Sequence, residues 1–138
     1  MIITLCYSMQ YAERAEEIKK QLEARGITAF VSGTNTKYLG LTDADKEKLK
    51  LVEKYEHDAI RDHYTLINQS DAILVINEEK NNIPGYIGGN AFLEIGFAYI
   101  LRKLIYLLNP IPHMPYYETE IIAMKPIILE GRLENIPA

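Results

Sequence analysis

The run Ala72-Ile73-Leu74-Val75-Ile76 contains no polar side chain and is bounded by Asp71 and Asn77. A segment this short and this uniformly apolar reads as a strand covered on both faces, which is the state of a central strand in a parallel sheet. Four further runs share its character: Ile2 to Cys6, Ile27 to Val31, Leu104 to Leu108 and Pro126 to Leu129. Helical patterns or polar connections separate them. Strands that alternate with helices predict an α/β domain with parallel pairing, right-handed crossovers and helices on both faces. Ligands of such sheets bind outside the carboxyl ends of the strands, where strand order reverses. The rule selects the loops that begin at Tyr7, Ser32, Asn77 and Asn109 as the rim of a pocket.

The connecting segments carry their own signals. After the first strand, Ser8 is placed to cap a helix in which Tyr11, Ala15, Ile18 and Leu22 share one face, and Gly26 closes it. Thr42-Asp43-Ala44-Asp45 resembles a capping arrangement. Leu49, Val52, Ala59, Ile60, His63 and Ile67 then keep a helical period in one long helix, or in two joined near Glu56 to Asp58. Charges such as Lys46, Lys50, Glu53 and Lys54 read as a solvated face. Asn109-Pro110-Ile111-Pro112-His113-Met114-Pro115 cannot continue a ladder, since three of its residues lack an N–H, and its X–Pro bonds are candidates for the cis form. Tyr117 to Met124 reads as a short helix or turn.

The stretch from Pro84 to Leu108 is where chemistry concentrates. Pro84-Gly85-Tyr86-Ile87-Gly88-Gly89-Asn90 opens a helical segment, Ala91 to Leu101, in which Glu94 is the only charged side chain. Arg102 and Lys103 close it at the negative end of the helix dipole. An ionised carboxylate costs several kcal/mol to bury without partners, so Glu94 is expected to be paired, protonated or facing a cleft. Gly88, Gly89 and Asn90 at the helix start offer backbone N–H groups to an anion, although they match neither a dinucleotide fingerprint nor a P-loop. Ser8 can meet a phosphate as well as cap a helix, and Tyr86 can stack on a base.

With 138 residues the chain is expected to form a single domain, residues 1–138. Its net charge of −4 is spread without a basic stripe, which argues against a nucleic-acid partner. Cys6, the one cysteine, has no internal disulfide partner and reads as a small apolar residue of a buried strand. No apolar stretch is long enough for a membrane span and no leader pattern opens the chain, so a soluble, cytoplasmic protein with no membrane partner is expected. His57 and His63, with Asp58 and Asp62, do not share a helical face, and no metal site is expected from them. No cofactor is expected. Phe92, Phe97, Tyr99 and Ile100 surround their helix on more faces than one sheet covers, which predicts a homodimer or larger homo-oligomer.

Asp71-Ala72-Ile73-Leu74-Val75, then Gly88-Gly89-Asn90-Ala91-Phe92-Leu93-Glu94-Ile95-Gly96-Phe97-Ala98 and Lys103-Leu104-Ile105, resemble the nucleoside 2-deoxyribosyltransferases and the related 2'-deoxynucleoside 5'-phosphate N-hydrolases. The resemblance implies a flavodoxin-like, doubly wound three-layer sandwich with a five-stranded parallel sheet. It implies an enzyme acting on the N-glycosidic bond of a nucleoside or nucleoside 5'-monophosphate. In that reading Glu94 is the nucleophile and forms a covalent glycosyl-enzyme. Asp71 assists protonation of the departing base or orients the sugar, and Ser8 contacts substrate. Two departures bear on the reaction. Transferases of the family carry an aspartate six residues before the nucleophile, where this chain has Gly88. Their first-strand tyrosine is replaced by Thr4 or Cys6, with Tyr7 adjacent and able to substitute as a third catalytic residue. Hydrolysis is therefore favoured over base exchange. A noncatalytic nucleotide-binding or signalling module is an alternative, and so is a TIR-like NAD glycohydrolase.

Overall fold

The computed structural model describes residues 1–138. Five strands, β1 (Ile2–Cys6), β2 (Thr28–Phe30), β3 (Ala72–Val75), β4 (Leu104–Leu107) and β5 (Ile127–Ile128), pair in the order β2-β1-β3-β4-β5. Every pairing is parallel. The helices are α1 (Ala12–Glu23), α2 (Asp43–Glu56), α3 (Ala59–Asn68), α4 (Gly89–Ile100) and α5 (Glu118–Ala123). This is a flavodoxin-like α/β fold, and its strand order reverses between β1 and β3.

Successive residues of a strand point to opposite faces, so β1 feeds two cores. Ile3, Leu5 and Tyr7 join Ala15, Ile18 and Leu22 of α1. Cys6 joins Ile73, Val75, Ile105 and Leu107 of the sheet with Ile67 of α3, Ala91, Ile95 and Ala98 of α4, and Ile121 of α5. Each fully buried Leu or Ile contributes ~1.5–3 kcal/mol, whereas β5, exposed at Ile127, is held by its pairing with β4 and by the buried chain that follows it. The chain after β5 completes the α1 side: Leu129, Leu133 and Ile136 are buried there. Arg25 clamps it by donating to the Leu133 and Ile136 carbonyls at 2.7 and 2.6 Å.

Several expectations need correction. Ser8 starts a 3-10 turn, Met9–Tyr11, without a side-chain cap bond, and α1 begins only at Ala12. Of the two arrangements expected for Leu49 to Ile67, the structure has the pair of helices joined at His57 and Asp58, where His57 is extended at φ −124, ψ 166. Thr42 does cap α2, its hydroxyl accepting from the Asp45 N–H at 3.2 Å. The face of α2 that carries Lys46 and Glu53 is not solvated, since both are buried. Lys46 Nζ donates to Glu13 at 2.6 Å and to the Gln10 carbonyl at 3.2 Å, so α2 docks through polar contacts. No peptide bond is cis.

Past the sheet, Asn77 ties the end of β3 to the end of β4. Its amide nitrogen donates to the Asn109 and Pro110 carbonyls at 2.8 and 3.2 Å, and its Oδ1 accepts the Asn109 N–H at 2.9 Å. Gly85 packs on this clasp at φ +69, where a Cβ would lie 2.6 Å from the Pro110 carbonyl oxygen. Both the conformation and the clash exclude a side chain. Gly85→Ala is therefore expected to cost at least ~1 kcal/mol, read as a lower urea midpoint with unchanged slope; a midpoint equal to wild type would refute the close approach.

Candidate functional site

At the reversal between β1 and β3 a cleft opens, with about 630 Å3 of free space counting its mouth. Tyr7 from the end of β1, Ser32, Thr34 and Tyr38 from the loop after β2, and Asn90, Leu93, Glu94 and Phe97 of α4 line it. Met9 adds to the lining from the turn after β1, and the rest of the wall comes from the α2–α3 region: Lys50, Glu53, Lys54, Ala59, Ile60 and His63. The loops beginning at Tyr7 and Ser32 thus form the rim as the strand-end rule requires. The loops beginning at Asn77 and Asn109 do not. Clasped together through Asn77, they line a separate hollow.

Glu94 lies in the second turn of α4, whose N-cap is Gly88 in an extended conformation. Its carboxyl keeps 14% exposure, all that the cleft admits. Oε2 is 3.3 Å from His63 Nε2, and that nitrogen is 3.1 Å from the Leu5 carbonyl oxygen and 3.7 Å from Cys6 Sγ. A carbonyl only accepts, so Nε2 carries a proton, and in the neutral ring Nδ1 is the unprotonated nitrogen. Burial pushes the Glu94 carboxyl up to about 8, against the opposing pull of the Cys6 thiol hydrogen bond and the Lys54 charge. Burial pushes His63 down to about 4, with the Leu5 carbonyl pulling it back. The Cys6 thiol is raised by burial and then by the Glu94 charge. The 3.3 Å contact therefore joins a neutral acid and a neutral imidazole near pH 7, not two ions.

The structure brings Tyr7, Asn90 and Glu94 to one cleft, and it distributes the other residues singled out in the sequence elsewhere. Tyr7 points to the α1 side of the sheet and donates its hydroxyl proton to Asn35 Oδ1 at 2.5 Å. It therefore does not orient Glu94; Cys6, one residue earlier and on the opposite face, is the first-strand side chain in contact with it. Asp71 lies at the other edge of the sheet, accepting the Ile2 N–H at 2.7 Å. Four strand residues, ~13 Å at ~3.3 Å each, separate it from Val75, the partner of Cys6. Asp71 is thus a cap on the sheet's lower edge and cannot reach a group beside Glu94. Ser8 accepts from Lys80 at 3.3 Å, and Lys80 sits 5.6 Å above the Tyr86 ring. Tyr86 packs against Gly88 and, like Gly88, Gly89 and Ser8, lies outside the cleft lining.

His63, Cys6, Lys50 and Lys54 were not legible as site residues. His63 follows the apolar period of its helix and Cys6 that of its strand, while the two lysines look like solvent-facing charge. The one available signal was that Cys6 ends a strand at the ligand-binding edge. Lys54 makes no ion pair, and burial and the nearby Lys50 charge lower it; Lys80 is lowered for the same two reasons. Lys50 thus acts on both, with Lys54 beside it in the cleft wall and Lys80 outside the lining.

No protein-family model and no curated protein matches the sequence. Two solved structures share its fold. One is a 2-deoxyribosyltransferase from Bacillus psychrosaccharolyticus, at 17% identity and TM-score 0.52, over 78% of this chain and 71% of that one. The other is the CMP N-glycosidase BcmB from Clostridium botulinum, at 18% identity and TM-score 0.51, over 93% of this chain and 88% of that one.

The two buried groups have opposite effects on stability. His63, lowered from 6.5 to about 4, makes stability rise with pH between those values, because the unfolded chain then holds the extra proton. Glu94, raised from 4.5 to about 8, makes it fall between those values, because the folded chain holds it. Only Glu94 acts between pH 6.5 and 8. Over that window wild type should lose up to ~1 kcal/mol per pH unit relative to Glu94→Gln, measured by urea denaturation. Parallel pH profiles would show instead that the carboxyl is solvated.

Proposed function

We propose that the protein cleaves the N-glycosidic bond of a nucleoside or nucleoside 5'-monophosphate by hydrolysis, with Glu94 as nucleophile. The observation that carries this reading is a lone buried carboxyl facing a cleft at the strand-order reversal. It is supported by the fold, which is shared with enzymes whose names describe deoxyribosyl transfer and CMP N-glycoside cleavage. In the first step the carboxylate bonds to the anomeric carbon as the carbon–nitrogen bond breaks, and the base departs with the bonding pair and takes up a proton from solvent, which the attacking water returns in the second step. Water then attacks the glycosyl-enzyme and releases sugar and Glu94. Gly88 in place of a carboxylate at the helix start favours water over a second base as acceptor. Lys50 and Lys54 line the cleft, and Lys54 has no acidic partner, which favours a 5'-phosphorylated substrate.

A panel of deoxynucleosides, their 5'-monophosphates and NAD should yield free base from the monophosphates, with Glu94→Gln losing the activity. Lys54→Ala should raise KM for a monophosphate by about tenfold while leaving the nucleoside unchanged, the loss of one charge contact. Because the carboxylate is the attacking form, kcat/KM should climb towards pH 8; a profile falling above pH 7 would make Glu94 an acid rather than a nucleophile. Nucleotide binding without base release would leave a binding module.

We also infer self-association through α4. Phe92 stacks on Tyr117 at 4.4 Å and Phe97 meets Tyr64 edge-on at 5.4 Å, so the domain itself covers those two rings. Leu93, Tyr99 and Ile100 remain 45%, 49% and 77% exposed on the same helix. Light scattering is expected to report a dimer or larger particle that Ile100→Glu dissociates; a wild-type monomer at micromolar concentration counts against it.

A further inference from the structure

Cys6 Sγ, His63 Nε2 and a Glu94 carboxylate oxygen lie within 4.8 Å of one another, a sulfur, a nitrogen and an oxygen brought together from β1, α3 and α4. The sulfur–nitrogen separation is 3.7 Å and the nitrogen–oxygen separation 3.3 Å. Around a tetrahedral zinc ion with bonds of ~2.3 Å to sulfur and ~2.0–2.1 Å to nitrogen and oxygen, those edges measure ~3.5 and ~3.3 Å. Two of the three edges stand at close to ligand spacing without an ion to draw them together, and the sulfur–oxygen edge, within 4.8 Å, has to close towards ~3.5 Å when the ion binds. They are also held there by packing, since Cys6 is fully buried and the His63 and Glu94 side chains are 11% and 14% exposed.

We propose that Cys6, His63 and Glu94 form a binding site for a zinc-class divalent cation, with the fourth position open to the cleft. Three protein donors and one open vertex is the arrangement of an accessible zinc centre rather than a closed structural one. Charge favours it: one thiolate and one carboxylate neutralise a divalent ion, so the occupied site is neutral overall in a setting that penalises net charge. Binding displaces the thiol proton, and the carboxyl proton wherever Glu94 carries one. The Nε2 proton moves to Nδ1, giving up the Leu5 carbonyl, so that Nε2 donates its lone pair to the metal. A carboxylate held by the ion cannot attack a sugar, so zinc would silence the hydrolase proposed above; that consequence alone rests on the functional reading.

Chelator-treated protein titrated with Co2+ should bind one ion per chain and develop thiolate-to-cobalt charge-transfer absorption, and titration with Zn2+ in weak buffer should release at least one proton per ion, from the thiol. Cys6→Ser should abolish the absorption, and Glu94→Gln should weaken binding by more than about tenfold while keeping the thiolate band. Asp71→Asn, at the far edge of the sheet, should change neither. Absence of the band in wild type, or Zn2+ affinity unchanged in both Cys6→Ser and Glu94→Gln, overturns the site. Should Cys6→Ser fail to fold by circular dichroism, Glu94→Gln and the proton count decide. Base release, where the panel detects it, should stop with Zn2+ and return with chelator. If the panel detects none, the cobalt and proton readouts still settle the metal.

Discussion

Keeping a carboxyl out of water between a thiol and a neutral imidazole is the constraint around which the cleft is arranged. The other inward positions of α4 are Ala91, Ile95 and Ala98, all buried and apolar. Leucine at position 94 would suit the same packing without a desolvated acid, and α4 would be no worse a helix. The surroundings do little to relieve the acid. Cys6 offers a weak donor, His63 is itself held neutral, and Lys54 acts through its charge without forming an ion pair. A position that costs the fold stability in this way marks the cleft as a candidate site, because groups with strongly displaced proton affinity gather where chemistry or ligation occurs.

Sheet geometry decides which residues can serve that group. Since β1 and β3 diverge in connection, their upper ends leave an opening that no crossover fills, and α4 descends from it. Alternation along β1 then assigns Cys6 to the α4 face and Tyr7 to the α1 face. One residue of offset separates a side chain that touches Glu94 from one committed to Asn35. The length of β3 does the same for Asp71, which neighbours the right strand at the wrong end.

The architecture was legible because short apolar runs in alternation with helices admit few arrangements, and Glu94 was legible because it interrupts a helix that is otherwise uncharged. The α2–α3 wall was not. Burial there is achieved by pairing, with Lys46 on Glu13 and Lys37 on Glu53, so the side chains that dock the helix have the composition of a solvated surface. His63 was hidden differently: a histidine on the apolar period of a helix looks like core until the strand opposite it is known to end in a carbonyl and a thiol. The resemblance read along Asp71 to Ile105 pointed to Asp71 by its neighbourhood in sequence, which does not distinguish the two edges of a sheet.

Charge near Glu94 determines which of its states the cleft favours. In the proposed reaction a substrate phosphate on Lys54 would cancel the one cationic influence that lowers the carboxyl, and so hold the proton on Glu94 in the bound ground state. The situation would reverse as the base leaves, because the sugar would then acquire oxocarbenium character at the carbon facing the acid. Positive charge a few ångströms away, in a region of low dielectric, favours the carboxylate more strongly than a surface lysine can. In the proposed reaction a nucleophilic Glu94 would be stabilised chiefly while the bond is breaking, which is the condition for holding a transition state more tightly than the substrate. Burial of Glu94, costly to the folded chain, is what makes that difference large.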